Sequence, residues 1–424
     1  MESYFHLLER GANNCSSNAD AGQQTGERYP YQQLEHENTI RLLFITPGSG
    51  EEVSYTLQHA ELGKTPYKAL SYEWGLPSDD DPNITIDGHT VRIRNNLFNV
   101  LKQISSAIHH PDSMFLWIDA LCINQVDDAE KSQQVLKMGK IFSSAEKVLA
   151  WTGLAAGDSD YAMDTLSSSE NFSWEKTRED HRARTAILAW CNRPYFKRIW
   201  ILQELYLAKR LLFMCGSKSV AERGLVHCLG VVLNPRPEFY NTEQYGRPKS
   251  WWCSFATHSS ASAHILGLKD VQNGLSLSST HRRHQSLLEW LFVCADFDME
   301  ATDPRDYIYA VLSITKETVS GHVQIVPDYT KSLKQVFEDT NAVMRAVNVN
   351  DRDMCPRCKE HLQCLGLRNQ QAINKWLKVK LGLDVRIKWS DKSRRYFARC
   401  KTCRERERER EREKRERKQS ERDE

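Results

Sequence analysis

Apolar and polar positions along this chain fall into short blocks with two different periods. "TIRLLFIT" (39–46) and "YKALSYEWG" (67–75) are rich in β-branched and aromatic residues and predict strands. "NITIDGHTVRIR" (83–94) alternates on both sides of Asp87-Gly88, a pair suited to a type I′ turn, and predicts a hairpin. From Asn95 to about His109 the period lengthens, and Leu97, Val100, Leu101, Ile104 and Ile108 share one helical face. "MFLWIDALCI" (114–123) is a nearly unbroken apolar run, as expected of a strand covered on both faces. An amphipathic helix is predicted over 129–145, with Val135, Met138, Ile141 and Phe142 inward. "EKVLAWTG" (146–153) predicts a strand, 158–208 is rich in helix, and "RLLFMCGS" (210–217) returns to strand.

Strands and helices alternating in this way predict an α/β fold, a mostly parallel sheet with right-handed crossovers flanked by helices. Ligands of such sheets bind outside the carboxyl ends of the strands, which points to the turns after Trp74, Asp119 and Trp151. Beyond 220 the pattern is mainly helical, in "HQSLLEWLFVCADF" (284–297), "DPRDYIYAVLSI" (303–314) and "SLKQVFEDTNAVMRAV" (332–347). Asp303 and Pro304 suit an N-cap and a first helical turn. The segment 234–283, rich in Ser, His, Asn and Pro, reads as loop and as a loose boundary.

Charge changes this picture at one end. The 424 residues carry a formal net charge of +2. Residues 354–403 hold thirteen Lys/Arg against three Asp/Glu, and 404–424 hold ten against nine, which leaves residues 1–353 at −9. The acidic and basic parts are expected to meet different partners. No apolar run spans a bilayer, and the N-terminus lacks the basic-then-apolar order of a secretory leader, so no membrane partner is expected. Cys122, Cys191, Cys215, Cys228, Cys253 and Cys294 lie singly, mostly in apolar segments, as buried thiols of a reducing compartment do; cytoplasm or nucleus is the expected location.

"YKALSYEWG", "NNLFNVL", "FLWIDALCINQVDDAEKSQQVLKMGKIFSSAEKVLAWTG", "RPYFKRIWILQEL" and "DPRDYIYAVL" together resemble the fungal heterokaryon-incompatibility (HET) domain, in its usual order. The resemblance covers roughly 39–217 and extends through the later helices to about 347. It implies fungal non-self recognition and regulated cell death. Partners implied are other HET or receptor-type proteins, and self-association. The HET domain is more distantly similar to the TIR domain, a flavodoxin-like fold whose members often cleave NAD with a helix glutamate in a W-x-x-x-E-L setting. The matching positions here are Trp200, Glu204 and Leu205, which makes NAD an implied substrate and Glu204 the implied catalytic acid. The organisation that follows is a disordered lead-in (1–38), a TIR-like α/β domain (39–217), a helical extension (218–350), a basic module (351–403) and a charged tail (404–424).

Glycosidic cleavage builds positive charge on the sugar, and one carboxylate near the ribose stabilises it or holds the hydroxyls. Glu204, on an otherwise apolar helix, suits that role; equally, it lies on a polar stripe with Gln203 and Lys197 and pairs with Arg198 or Lys209. Asp119 ends an apolar run, where it either orders a ligand-binding turn or caps the turn into "CINQ". Asn124 and Gln125 are uncharged donors for a nucleotide or simple turn formers. At the end of the 67–75 strand, Ser71 and Tyr72 precede Trp74, which either stacks on a ring or packs in the core like Tyr72, and Gly75, which lets the backbone turn. "GSGEE" (48–52) lacks the Lys-Ser/Thr of a triphosphate loop, and no dinucleotide-type Gly-rich loop, protease constellation or H-E-x-x-H is present.

"CPRC" (355–358) and "CKTC" (400–403) are paired thiols at a spacing suited to tetrahedral zinc, so Cys355, Cys358, Cys400 and Cys403 are candidate ligands, with His361 and Cys364 as substitutes. With Trp376, Trp389, Tyr396 and Phe397 among the cations, 354–403 suits nucleic acid, an acidic protein, or the acidic part of its own chain. "RERERERERE" sets like charges at i,i+4 and is expected to be a solvated, partly helical tail.

Overall fold

A computed structural model describes residues 29–47, 53–107, 113–167, 180–222, 287–315 and 325–346. The strands are β1 (Thr39–Pro47), β2 (Val53–Glu61), β3 (Lys68–Tyr72), β4 (Asn83–Ile86), β5 (His89–Arg92), β6 (Met114–Trp117), β7 (Lys147–Trp151), β8 (Leu211–Cys215) and β9 (Lys218–Ala221). The helices are α1 (Asn95–Ser106), α2 (Asp119–Cys122), α3 (Asp128–Ser144), α4 (Ser159–Ser167), α5 (His181–Cys191), α6 (Ile201–Tyr206), α7 (Leu287–Asp296), α8 (Asp306–Leu312) and α9 (Leu333–Ala346). All the strands join in one sheet, in the order β5-β4-β2-β1-β6-β3-β7-β8-β9.

Only part of that sheet is parallel. β6, β3, β7 and β8 pair in parallel, whereas β1 meets both β2 and β6 antiparallel, and hairpins β4–β5 and β8–β9 close the two sides. The expectation of a mostly parallel sheet is corrected here. The pairings divide about evenly: β2, which the sequence did not predict, pairs antiparallel with β1, and the five residues between them are too few for a crossover helix.

Counted in chain order, the four parallel strands lie 2-1-3-4, a doubly wound order. Residues of β3 alternate between two cores. Ala69 faces the core built from α3 to α9, and Leu70 and Tyr72 face the one closed by α1. The chain leaves β3 toward β6 by way of α1 on one face, and leaves β7 toward β8 by way of α4 to α6 on the other. The crossovers thus diverge between neighbouring strands β3 and β7, at the crevice where such sheets bind ligands.

The run 114–123 is not one strand. β6 stops at Trp117, and α2 begins at Asp119, whose Oδ1 accepts the Ala120 N–H at 2.7 Å. The carboxylate captures the backbone and turns the chain two residues past the sheet. α3 is capped by Asp127, whose Oδ1 accepts from the Ala129 and Glu130 N–H groups, both at 3.0 Å. Asp87, in the β4–β5 turn, holds φ +49°, and Gly88 φ +77°, as a type I′ hairpin requires. Among the described residues no helix is long and apolar enough to cross a membrane.

Candidate functional site

Glu204 sits on α6, a six-residue helix at the centre of the larger core, between Leu202 and Leu205, both fully buried. What aims α6 is the segment before it. A 3-10 turn over Pro194–Lys197 leads into Arg198, and there the backbone is pinned to the later helical region. Ile199 N–H donates to Glu300 O at 2.9 Å, and Glu300 N–H donates to Lys197 O at 2.7 Å. The Glu204 side chain then reaches the end of β3.

There the Ser71 hydroxyl is hydrogen-bonded to Glu204 Oε2 and lies 2.7 Å from the Tyr195 hydroxyl. The Arg198 Nη1 group is 3.5 Å from the same carboxylate oxygen. Glu204 is 2% exposed. Burial raises its pKa above the ordinary carboxylate range, opposed first by the Arg198 charge and then by the Ser71 hydrogen bond. Arg198 is held in its charged form by Glu204, Asp119, Tyr195 and Tyr72 against the cost of burial.

Asp119, half-buried at the end of β6, faces the same guanidinium, and its Oδ2 accepts the Trp74 indole N–H at 2.9 Å. Burial raises its pKa also, countered by Arg198 and by the Trp74 bond. Trp74 is 38% exposed, so its ring is not core, whereas Tyr72 is buried beneath it in the sheet. Gly75 holds φ +75°, a conformation open to glycine, and turns the loop away after the indole. The backbone carbonyl of Glu73 accepts from Asn96 Nδ2 at 2.6 Å, and Asn96 Oδ1 accepts the Trp151 indole N–H at 2.8 Å, which ties the ends of β3 and β7 to the first turn of α1.

Several predicted residues do other work in the fold. Gln125 Nε2 donates to Asp119 O at 2.8 Å, and Asn124 N–H to Glu130 Oε1 at 2.8 Å, so both brace the turn after β6. Trp200 precedes α6, its carbonyl accepting the Glu204 N–H at 3.2 Å, and directs its indole N–H to Asp306 Oδ2 at 3.0 Å, on α8. The Ser71 hydroxyl is hydrogen-bonded to both Tyr195 and Glu204 and so orients the acid. Tyr195 carries no signal of its own in the sequence; its place beside Pro194, just before the acid-bearing helix, becomes one only once that helix is suspected. Cys355, Cys358, Cys400 and Cys403 lie outside the described residues, among which no group of three or more His, Cys, Asp or Glu is arranged to hold a metal ion.

Residues 67–204 match the family model described as heterokaryon incompatibility protein (HET). The match opens at the start of β3 and ends on Glu204; β1, β2, β8 and β9, within the broader expected range, lie beyond it. Heterokaryon incompatibility protein 6, OR allele, of Neurospora crassa is 27% identical over 355 residues, covering 71% of this chain and 51% of the relative. The chain thus spans about half the length of that relative. No solved structure matches the chain. The residues that build the β3 crevice and its buried acid thus lie within the stretch of this chain that is similar to the heterokaryon incompatibility (HET) family.

Proposed function

We propose that this protein acts in fungal non-self recognition, triggering cell death by TIR-like cleavage of NAD at the nicotinamide–ribose bond. The observation that carries the chemistry is Glu204 drawn under the end of β3, beside the crevice where doubly wound sheets take ligands. Three carboxylates, Glu73, Asp119 and Glu204, lie within electrostatic reach of Arg198. Such an excess of negative charge, with the exposed indole of Trp74 at its edge, suits a cationic pyridinium ring and the oxocarbenium-like sugar that its departure leaves. The bonding pair leaves with nicotinamide, water adds to the ribose carbon, and a carboxylate with a raised pKa accepts its proton. Arg198, at a long 3.5 Å from Glu204, is the group that must give way as the ribose enters.

A second reading, a non-catalytic homotypic interaction module, is favoured by the same burial. At 2% exposure, with one oxygen already bonded to Ser71, Glu204 is also what a structural buried acid looks like. Nicotinamide release by the purified full chain separates the two. Glu204→Gln is expected to lower release by about 100-fold or more while leaving the melting temperature near wild type. Release at the wild-type rate from the folded variant overturns the assignment, and no release from wild type favours the interaction module.

A further inference from the structure

The loops that leave the carboxyl ends of β3, β6 and β7 share an unusual composition. Segments 73–82, 119–130 and 152–164 together contain eleven Asp/Glu and no Lys/Arg. Some of these charges are neutralised from elsewhere in the fold: Asp81 by Arg94, Glu130 by Arg41, Asp158 by Arg182 and Asp164 by Lys218. Asp79, Asp80, Asp128 and Asp160 are exposed and have no ion pair among the described residues. Apolar side chains stand among them. Leu76 is 89% exposed, Val126 62%, Leu154 55% and Trp74 38%. Large apolar groups left in water on three adjacent loops are the mark of an interaction surface, and the surrounding charge sets the sign of the partner.

We propose that this edge is the docking surface for the chain's own basic segment, residues 354–403. That segment is complementary on both counts, with thirteen Lys/Arg against three Asp/Glu, interleaved with Trp376, Trp389, Tyr396 and Phe397. Cations meet the unpaired aspartates, and aromatic rings cover Leu76, Val126 and Leu154. The path of the chain allows it. The Tyr329 ring lies 4.6 Å from Lys131 Nζ, the residue that follows the acidic stretch after β6, and α9 starts four residues later. At 1.5 Å per residue α9 is about 20 Å long, and residues 347–353, extended, span about 25 Å, so the basic segment begins within its own length of the edge.

The test is zero-length carbodiimide cross-linking of the full chain, stripped of nucleic acid, in a mixture of isotope-labelled and unlabelled copies read by mass spectrometry. Links are expected from Lys375, Lys378, Lys380 or Lys388 to the acids of the three loops, within single copies. Their yield should fall at least about fivefold in 1 M salt, where the Debye length shrinks to about 3 Å. A similar fall is expected in the triple variant Asp79→Asn, Asp80→Asn, Asp128→Asn, and a partial one in Leu76→Ser. Links from these lysines to other parts of the body, links only between labelled and unlabelled copies, or a yield unchanged in both variants would overturn the proposal.

Discussion

Asp306 accepts hydrogen bonds from the Trp200 indole at 3.0 Å and the Tyr329 hydroxyl at 2.7 Å, yet burial outweighs both and raises its pKa to about 6. Between the unfolded value and that one, the folded protein binds the extra proton, so unfolding free energy falls as pH rises. A shift of this size corresponds to about 3 kcal/mol, fully present below about pH 4 and lost by about pH 6. Asp306→Asn is expected to flatten that part of the stability–pH curve in thermal unfolding, because an amide oxygen still accepts from either partner and carries no charge. A curve with the same slope as wild type would assign the pH dependence to another group. Glu204, raised in the same direction, works with the same sign. At this scale the sequence was partly legible. Glu204 and Asp119 stand out as acids in apolar runs, but a pairing such as Ser71 with Glu204 joins positions 133 residues apart, and no local pattern encodes it.

At the scale of elements, the long periodic segments were readable and the short switches were not. α1 and α3 sit where their apolar faces predict, and the 83–94 hairpin turns on Asp87-Gly88. The 114–123 run misled because hydrophobicity does not distinguish a buried strand from a buried helical turn; Asp119 decides, through its bond to Ala120 N–H. In β2, Val53, Tyr55 and Leu57 alternate with Ser54, Thr56 and Gln58, a half-exposed pattern that a search for buried parallel strands passes over. One glycine records how tightly the elements meet. A Cβ at Gly139, in the middle of α3, would lie 2.5 Å from Ser313 Cβ, just past α8. Gly→Ala inside a helix ordinarily gains about 1 kcal/mol, whereas overpacking costs about 1–3. The clash should win: Gly139→Ala is expected to lower the denaturant midpoint, and a raised midpoint would show that α8 moves aside freely.

Across the whole molecule, one buried cation ties three distant parts of the chain together. Arg41 of β1, its side chain 2% exposed, bonds Glu130 at 2.6 and 3.0 Å, Cys122 O at 3.2 Å and Gln32 O at 2.5 Å, with its guanidinium 4.9 Å from the Tyr31 ring centre. Glu130→Ala leaves that charge without its counter-ion and is expected to cost about 3–5 kcal/mol, read from denaturant unfolding. A loss under about 1 kcal/mol would mean that the backbone carbonyls suffice. The contacts of Tyr29 with Asp87 and of Tyr31 with Leu121 belong to the same strap, which runs through positions 29–37, a stretch the sequence offered only as lead-in. Its polar composition hid it, because its anchors are hydrogen bonds to far-off partners.

The two margins of the sheet bear on how copies of this protein can come together. β5 and β9 are four residues each, "HTVR" and "KSVA", and both are ends of tight hairpins carrying a cation. A ribbon so brief and charged offers an incoming backbone little to template on. Lateral strand addition, the route to a fibre, is therefore disfavoured at both flanks of the described sheet.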